Sequence, residues 1–192
     1  MRVIDVIKDT CTFLQLEEEL AYLNTYNEST KLFEGDVSDK TEKNINLLVK
    51  CFNLVMDTIS SEYIKLKDKT TTYTDTGRIP YADITDHNVS TIISVEQDGV
   101  VSFADYGGEI VVNGTGKYDV TYLYTLSFCG IEDSIYEVHI PTKTIAYGVA
   151  SEYLYIERLY DDAAIWDSRF KSSLLNILIN KKHRYIKPRR WY

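Results

Sequence analysis

The 192-residue sequence lacks the features that define several large classes of protein. No apolar run approaches the ~18 residues that a membrane-spanning helix needs. The apolar residues within 1–14 are interrupted by Arg2, Asp5, Lys8 and Asp9, so we expect no signal peptide there. The sequence also has no internal repeat, no low-complexity tract and no catalytic motif. With 44% hydrophobic and 26% charged residues, an ordinary globular chain is expected.

Cysteine is scarce. The three cysteines, Cys11, Cys51 and Cys129, are odd in number and far apart, and each lies in an apolar, periodic segment. This pattern is typical of buried thiols in a reducing cytosol and not of a disulfide framework.

Acidic and basic residues are distributed unevenly. The net charge is −8, yet residues 181–192 hold six Lys or Arg and no Asp or Glu. The first 180 residues therefore contain 15 basic and 29 acidic residues, a net charge of −14. An acidic chain is repelled by phosphate backbones, so this body is not expected to bind nucleic acid in general.

Helical periodicity is present at both ends of the chain. The first predicted helix has one apolar face, made by Val3, Ile7, Cys11 and Leu14. The second is predicted to start with the capping pair Asp39 and Glu42. Its stripe comprises Ile45, Leu48, Phe52, Val55 and Ile59, broadened by Leu47, Cys51 and Leu54.

Two further helices are predicted after residue 140. Pro141 suits the first position of a helix, because the N–H that proline lacks would be unpaired there. The buried face of this helix is predicted at Ile145, Val149, Tyr153 and Ile156. Asp161 and Asp162 favour the start of the last helix. Its stripe is Ala163, Trp166, Phe170, Leu174 and Ile177.

The middle of the chain has strand character. Four to six strands are expected between residues 70 and 140. The segments 91–96 and 100–104 flank Asp98-Gly99, a hairpin signal. Tyr118, Val120, Tyr122 and Tyr124 alternate with other residues and so share one sheet face. A further hairpin turn is expected at residues 113–116, since Asn-Gly is turn chemistry.

Together these elements predict an α+β chain. Helices from both ends form a helical bundle, the core at residues 1–66 and 139–180. A β-strand-rich insertion occupies residues 67–138, and residues 181–192 form an extended basic C-terminal arm.

Three groups of residues could have a catalytic or metal-binding role, but the sequence supports none of them strongly. Asp83, Asp86 and His87 could ligate a metal, but no nearby residue supplies a further ligand, so a turn is favoured. Cys129 with His139 could form a nucleophile and its base, but the apolar setting of the cysteine favours an inert thiol. Residues 114–117 resemble part of a phosphate-binding loop, but the positions on either side lack the Gly and the Ser or Thr that such a loop requires. We therefore expect no cofactor, no metal and no enzyme activity.

Two further features have structural and functional interpretations. Glu17, Glu18 and Glu19 could serve in acid–base chemistry, although a solvated helix face is favoured. The sixteen tyrosines could present an aromatic face to sugars, although packing or interface roles are favoured.

The C-terminal arm is the strongest candidate for binding. Arginine and aromatic residues are enriched at protein interfaces, and Pro188 stops any helix. The arm is predicted to order on a negatively charged partner, which could be another copy of this chain, with nucleic-acid contact as the alternative. The predicted partner-binding residues are Lys181, Lys182, Arg184, Tyr185, Lys187, Arg189, Arg190, Trp191 and Tyr192.

The layout and one run of residues resemble the neck proteins of tailed bacteriophages, the head–tail connectors or adaptors, including podovirus tail tubular adaptor proteins. The run comprises Pro141, Ala146, Tyr147-Gly148, Ala150, Tyr153, Asp162-Ala163-Ala164, Trp166, Phe170 and Leu174.

The resemblance implies a structural protein of the virion that forms a homo-oligomeric ring, commonly of twelve copies. The ring would sit in the neck beneath the portal protein, contact tail or nozzle proteins and let DNA pass without sequence-specific contact during ejection. It implies that the C-terminal arm docks on the portal, that loops near Asp98-Gly99 and Gly107-Gly108 reach neighbouring subunits, and that assembly occurs in the host cytoplasm with no membrane partner.

Three alternatives stay open. The first is a tail terminator or tail-tube component, which would contact tail proteins and not the portal. The second is a metal-dependent enzyme using Asp83, Asp86 and His87. The third is a carbohydrate-binding module using the tyrosine face.

Overall fold

The computed structural model describes residues 1–27, 32–33 and 37–182. The helices in these residues are α1 (Val3–Leu14), α2 (Glu17–Leu23), α3 (Asp39–Thr58), α4 (Thr142–Ile156) and α5 (Tyr160–Lys182). The strands are β1 (Tyr26–Asn27), β2 (Leu32–Phe33), β3 (Leu66–Thr74), β4 (Arg78–Pro80), β5 (Asn88–Glu96), β6 (Val100–Val101), β7 (Phe103–Asp105), β8 (Glu109–Val112) and β9 (Gly116–Thr125). Helices combined with antiparallel sheets confirm the predicted α+β class.

The chain divides into two compact units. The helical unit comprises the described residues of Met1–Val55 and Cys129–Tyr192, and the β-rich unit comprises Met56–Phe128. The predicted boundaries, at 66/67 and 138/139, lie further along the chain. Residues after 128 belong with the helices because the backbone of Ile135 pairs with Met1 and the Val3 N–H donates to Asp133 O at 3.0 Å.

Most of the predicted apolar stripes are buried in the structure. The buried members are Val3, Ile7, Cys11, Ile45, Leu48, Phe52, Val55, Ile59, Ile145, Val149, Tyr153, Ala163, Phe170 and Leu174. The prediction was wrong for Leu54, which is 51% exposed because it lies about 200° around α3 from Phe52. It was also wrong for Ile156, which is exposed at the last residue of α4.

Two predicted helix starts are displaced by one residue. The Thr41 N–H donates to Ser38 Oγ at 3.2 Å, so Ser38 caps α3 and Asp39 is its first helical residue. Pro141 has an extended ψ of 138° and caps α4, which begins at Thr142.

The β-rich unit contains two antiparallel sheets. One has the strand order β3-β9-β5-β6 and the other β4-β8-β7. The hairpin at Asp98-Gly99 is confirmed, since Val95 faces Val101 and Asp98 has a positive φ of 55°. These seven strands exceed the four to six predicted, because β4, β6 and β7 have only two or three residues each.

The turn at residues 113–115 connects the two sheets and does not form the predicted hairpin. β8 pairs with β4 and β7, whereas β9 pairs with β3 and β5. Gly77 holds the end of β8, the strand before this turn, because the Gly77 carbonyl oxygen accepts the Val112 N–H at 2.8 Å. Its φ is +74°, and a Cβ there would meet Val112 O at 2.7 Å, so no other residue fits without strain.

A tight turn joins α4 to α5 in the helical unit. Arg158 has the left-handed φ of 64°. The Leu159 N–H donates to Leu154 O at 2.9 Å and the Arg158 N–H donates to Tyr155 O at 3.1 Å. This is the Schellman pattern, in which the left-handed position usually holds glycine.

The helices of this unit approach each other most closely at Gly148. α4 packs against both α1 and α5. A Cβ built on Gly148 would lie 2.9 Å from Val55 Cγ1 and 3.1 Å from Phe170 Cδ2, so α4 also lies against α3. A larger residue would push these helices apart.

We predict that Gly148→Ala destabilises the protein. Alanine favours a helix by ~1 kcal/mol over glycine, but overpacking costs about 1–3 kcal/mol. The free energy of unfolding in urea should therefore fall, despite the better helix propensity. Gly108→Ala is the control, because a Cβ there meets no atom within 4 Å. An alanine variant at 148 that is more stable than wild type would contradict the packing.

We also predict that Arg158→Gly stabilises the protein. Removing the left-handed penalty should add about 1 kcal/mol, which raises the Tm by about 2–4 °C. The neighbour Glu157 has an ordinary φ of −73°, so Glu157→Gly is the control and should lower the Tm. A calorimetric scan in which both variants shift the same way would rule out this explanation.

Candidate interaction surface

Three aromatic rings from three helices meet at the surface of the helical unit. Phe13 of α1 lies 5.2 Å from Tyr147 of α4 and 5.4 Å from Trp166 of α5, measured between ring centroids. Tyr147 and Trp166 are 5.5 Å apart. Each ring is half-buried, so the cluster both joins the helices and leaves part of its aromatic surface exposed to the solvent.

Two cations lie against these rings. The Arg169 guanidinium is 4.7 Å from the centroid of Trp166, and Lys143 Nζ is 6.0 Å from that of Tyr147. A cation–π interaction at an exposed site contributes about 0.5–1 kcal/mol, which restricts the cation to a position over the ring. We call Phe13, Lys143, Tyr147, Trp166 and Arg169 the cation–aromatic surface.

A cavity of about 380 Å³ opens beside this surface. It is lined by Tyr147, Ser168, Arg169, Ser172 and Ser173. The three serine hydroxyls and the guanidinium are hydrogen-bond donors, and a guanidinium binds carboxylates in bidentate geometry. Trp, Tyr and Arg are also the residues that dominate binding energy at protein interfaces. The arrangement can therefore bind an anionic side chain of a partner.

A second, acidic cavity of about 500 Å³ lies elsewhere on the helical unit. It is lined by Gln15, Leu16, Glu17, Glu18, Glu19, Lys40, Asn44, Tyr153 and Glu157. Burial, together with the charges of Glu157 and Glu19, raises the pKa of the Tyr153 phenol above its ordinary value.

The sequence favours one solvated face for the three glutamates of α2, but the structure does not have such a face. Glu17 and Glu18 are exposed, but Glu19 is only 5% exposed. Its Oε1 accepts a hydrogen bond from Asn44 Nδ2 at 2.7 Å. Glu19 lies two residues after Glu17, about 200° around the helix, which turns it toward α3.

The predicted binding residues of the C-terminal arm fall at and beyond the end of α5. Lys181 and Lys182 are the last residues of α5, so this helix runs two residues past the predicted end of the core. Arg184, Tyr185, Lys187, Arg189, Arg190, Trp191 and Tyr192 lie outside the described residues.

Asp83, Asp86 and His87, for which a turn was favoured over a metal site, belong to no group of three potential metal ligands in the described part of the chain. His87 instead stacks on Tyr124, with centroids 4.7 Å apart, and its Nδ1 lies 3.3 Å from Ser127 Oγ. Asp83 and Asp86 are exposed. The turn interpretation of this segment therefore fits the geometry.

The tyrosines of β9 do share one face, as expected, but that face is buried. Tyr118, Tyr122 and Tyr124 are each at most 9% exposed. Stacking on a sugar requires an exposed ring, so this face is unavailable to carbohydrate. The most exposed aromatic rings lie elsewhere, in strand β3 and in loops, at Tyr73, Tyr106, Phe128 and Tyr136. Trp166 of α5 is half-buried, although the spacing of apolar residues predicts core packing for it.

The cysteines have the character of inert thiols. Burial raises the pKa values of Cys11 and Cys51 to about 12, helped by the nearby charges of Glu19 and Glu152 respectively. Cys129 is half-buried, and burial together with Asp133 and Glu137 raises its pKa.

The backbone at Cys129 is held by Asn53. The Asn53 side chain accepts the Cys129 N–H at 2.8 Å and donates to its carbonyl at 2.9 Å. The backbone of Cys129 therefore has a structural role, and none of the groups that shift the pKa of its thiol stabilises the thiolate.

Comparison of the sequence with known protein families and with curated proteins finds no match. Among the described residues, no helix is both long and apolar enough to cross a membrane.

We predict that one thiol reacts slowly in the native protein and two do not react. A thiol is nucleophilic only as thiolate, so a raised pKa means that labelling accelerates only as pH rises above the ordinary value for cysteine. At pH 8, a disulfide reagent should therefore modify Cys129 alone, more slowly than free cysteine. Cys129→Ser should abolish the reaction, and urea should expose the other two. Rapid labelling of two or three native thiols would contradict the buried setting.

Proposed function

We propose that this protein is a ring-forming structural protein of a tailed-bacteriophage virion, the head–tail adaptor of the neck. It sits beneath the portal, continues the DNA channel toward the tail and docks through residues 181–192. The observation that supports this best is the layout: both chain ends build one helical unit, a single β-rich segment interrupts it, and α5 leads directly into the basic C-terminal residues. This is the order of elements on which the resemblance to phage neck proteins rests.

The outer face of α5 is suited to contacts with other subunits. Ile165, Leu175 and Ile179 are each about half exposed, at 53%, 50% and 52%. The small residues Ala164, Ser168 and Ser172 lie between them on the same side of the helix and are exposed as well. Small side chains allow another helix to approach closely. Such a face supports assembly with other subunits.

The charge distribution fits a channel protein. The first 180 residues carry a net charge of −14, from 15 basic and 29 acidic residues. A negatively charged wall repels the phosphate backbone, so DNA can slide past without adhering. The six basic residues at 181–192 are separate from this wall in sequence and can serve a protein partner instead.

We predict that deleting residues 181–192 leaves a folded protein that no longer attaches to the portal. The deletion removes six of the 21 basic residues and both terminal aromatics, Trp191 and Tyr192. The Tm should stay near the wild-type value, whereas co-sedimentation with the portal protein of the same virus should be lost.

A second variant separates charge from aromatic anchoring. Replacing the six Lys and Arg residues by Ser keeps Tyr185, Trp191 and Tyr192, and it should weaken docking and remove its dependence on salt. Electron microscopy of wild-type protein with portal should show rings at the portal exit. Rings found only at the end of the tail tube would instead make the protein a tail terminator, and a truncated chain that docks normally would contradict the role of the arm.

A further inference from the structure

The cation–aromatic surface has donors that the rest of the described chain does not use. Arg169 and Lys143 have ring contacts at 4.7 Å and 6.0 Å, but no carboxylate of a described residue lies within ion-pair distance of either. Ser168, Ser172 and Ser173 line the same cavity as the guanidinium. A positioned guanidinium beside hydroxyl donors binds an oxyanion, and the aromatic rings hold the guanidinium in position.

The acidic cavity has the complementary chemistry. Glu17, Glu18 and Glu157 line it and are exposed, and none forms an ion pair with another described residue. The chain thus has, on one helical unit, unpaired cations in one place and unpaired carboxylates in another. Charge complementarity of this kind sets partner choice and orientation at interfaces.

The two surfaces lie on different sides of α4. Tyr147 belongs to the cation–aromatic surface and Tyr153 lines the acidic cavity. Six residues of α-helix separate them, which places them about 120° apart around the helix axis. Two complementary patches that face different directions make a head-to-tail contact, and repetition of such a contact produces a closed ring or a filament.

We propose that the cation–aromatic surface of one subunit binds the carboxylates of the acidic cavity of a second copy of this chain. The contact places Arg169 against Glu17 and Glu18 and would join successive subunits of the ring, so it rests on the proposed adaptor function. A second copy is a better partner than nucleic acid, because a chain of net charge −8 repels phosphate backbones but supplies its own carboxylates.

A charge-reversal exchange tests this contact. The first variant, Arg169→Glu, has an acidic patch facing an unchanged acidic cavity. The second, Glu17→Arg with Glu18→Arg, has a basic cavity facing an unchanged cation–aromatic surface. Each variant alone should self-associate at least roughly tenfold more weakly than wild type, because like charges meet at the contact. An equal mixture should regain assembly, since each variant then complements the other on both surfaces.

Sedimentation velocity and mass photometry measure the assembly, and thermal melts check folding. Lys50→Glu is the control, because it makes the same charge change on an exposed site of the helical unit outside both surfaces. It should assemble like wild type. If Arg169→Glu fails to fold, Arg169→Gln replaces it and should show the same weakening without the rescue.

The results separate this contact from the adaptor function. Variants that assemble like wild type, a mixture of folded Arg169→Glu with the double variant that does not recover, or a wild-type chain that stays monomeric at the highest concentration would each overturn the contact. So would a loss of binding to duplex DNA in Arg169→Glu with self-association unchanged. The adaptor function is judged independently by rings at the portal in electron micrographs, and it fails if wild-type protein forms none there.

Discussion

The close approach of α4 to α3 and α5 at Gly148 sets the geometry of the helical unit. A side chain at this position would meet Val55 at 2.9 Å and Phe170 at 3.1 Å, so only glycine allows the present spacing. Because the packing is this tight, the helices on either side have fixed orientations, and their outward residues are placed accurately. The Schellman turn at Arg158 then reverses the chain so that α5 lies along α4.

Both candidate surfaces depend on that packing. Tyr147 is next to Gly148 in α4, and its ring joins Phe13 and Trp166 only because α1 and α5 lie on either side. The acidic cavity likewise needs α2 to place Glu19 against Asn44 of α3. The described residues offer stacked cations and half-exposed apolar residues on the helical unit, and these support the proposal that the protein binds other proteins. The proposed adaptor function requires this property and no chemistry.

Periodicity predicted the elements well and their environment less well. The stripes of α1, α3, α4 and α5 are mostly buried, and the hairpin at Asp98 is present, because local spacing and turn chemistry determine these features. The sequence predicts core positions for Leu54 and Ile156, yet both are exposed. A single sequence shows which residues are apolar, but it does not show how much of each helix surface is covered by neighbouring elements. The Asn-Gly sequence after β8 predicts a hairpin, which the structure does not have. Asn-Gly favours a bend in the chain, but it does not determine whether the strands on either side pair with each other.

The α+β class, the four long helices and the separation of charge between the first 180 residues and the C-terminal segment can all be derived from the amino-acid sequence. These properties follow from composition and from contacts between residues close in the chain. The burial of Glu19, the covering of the β9 tyrosines and the stacking of Arg169 on Trp166 beside three serines are seen only in the folded chain. The physical reason is that burial and the grouping of side chains depend on which helix or strand lies opposite, and those neighbours are distant in sequence.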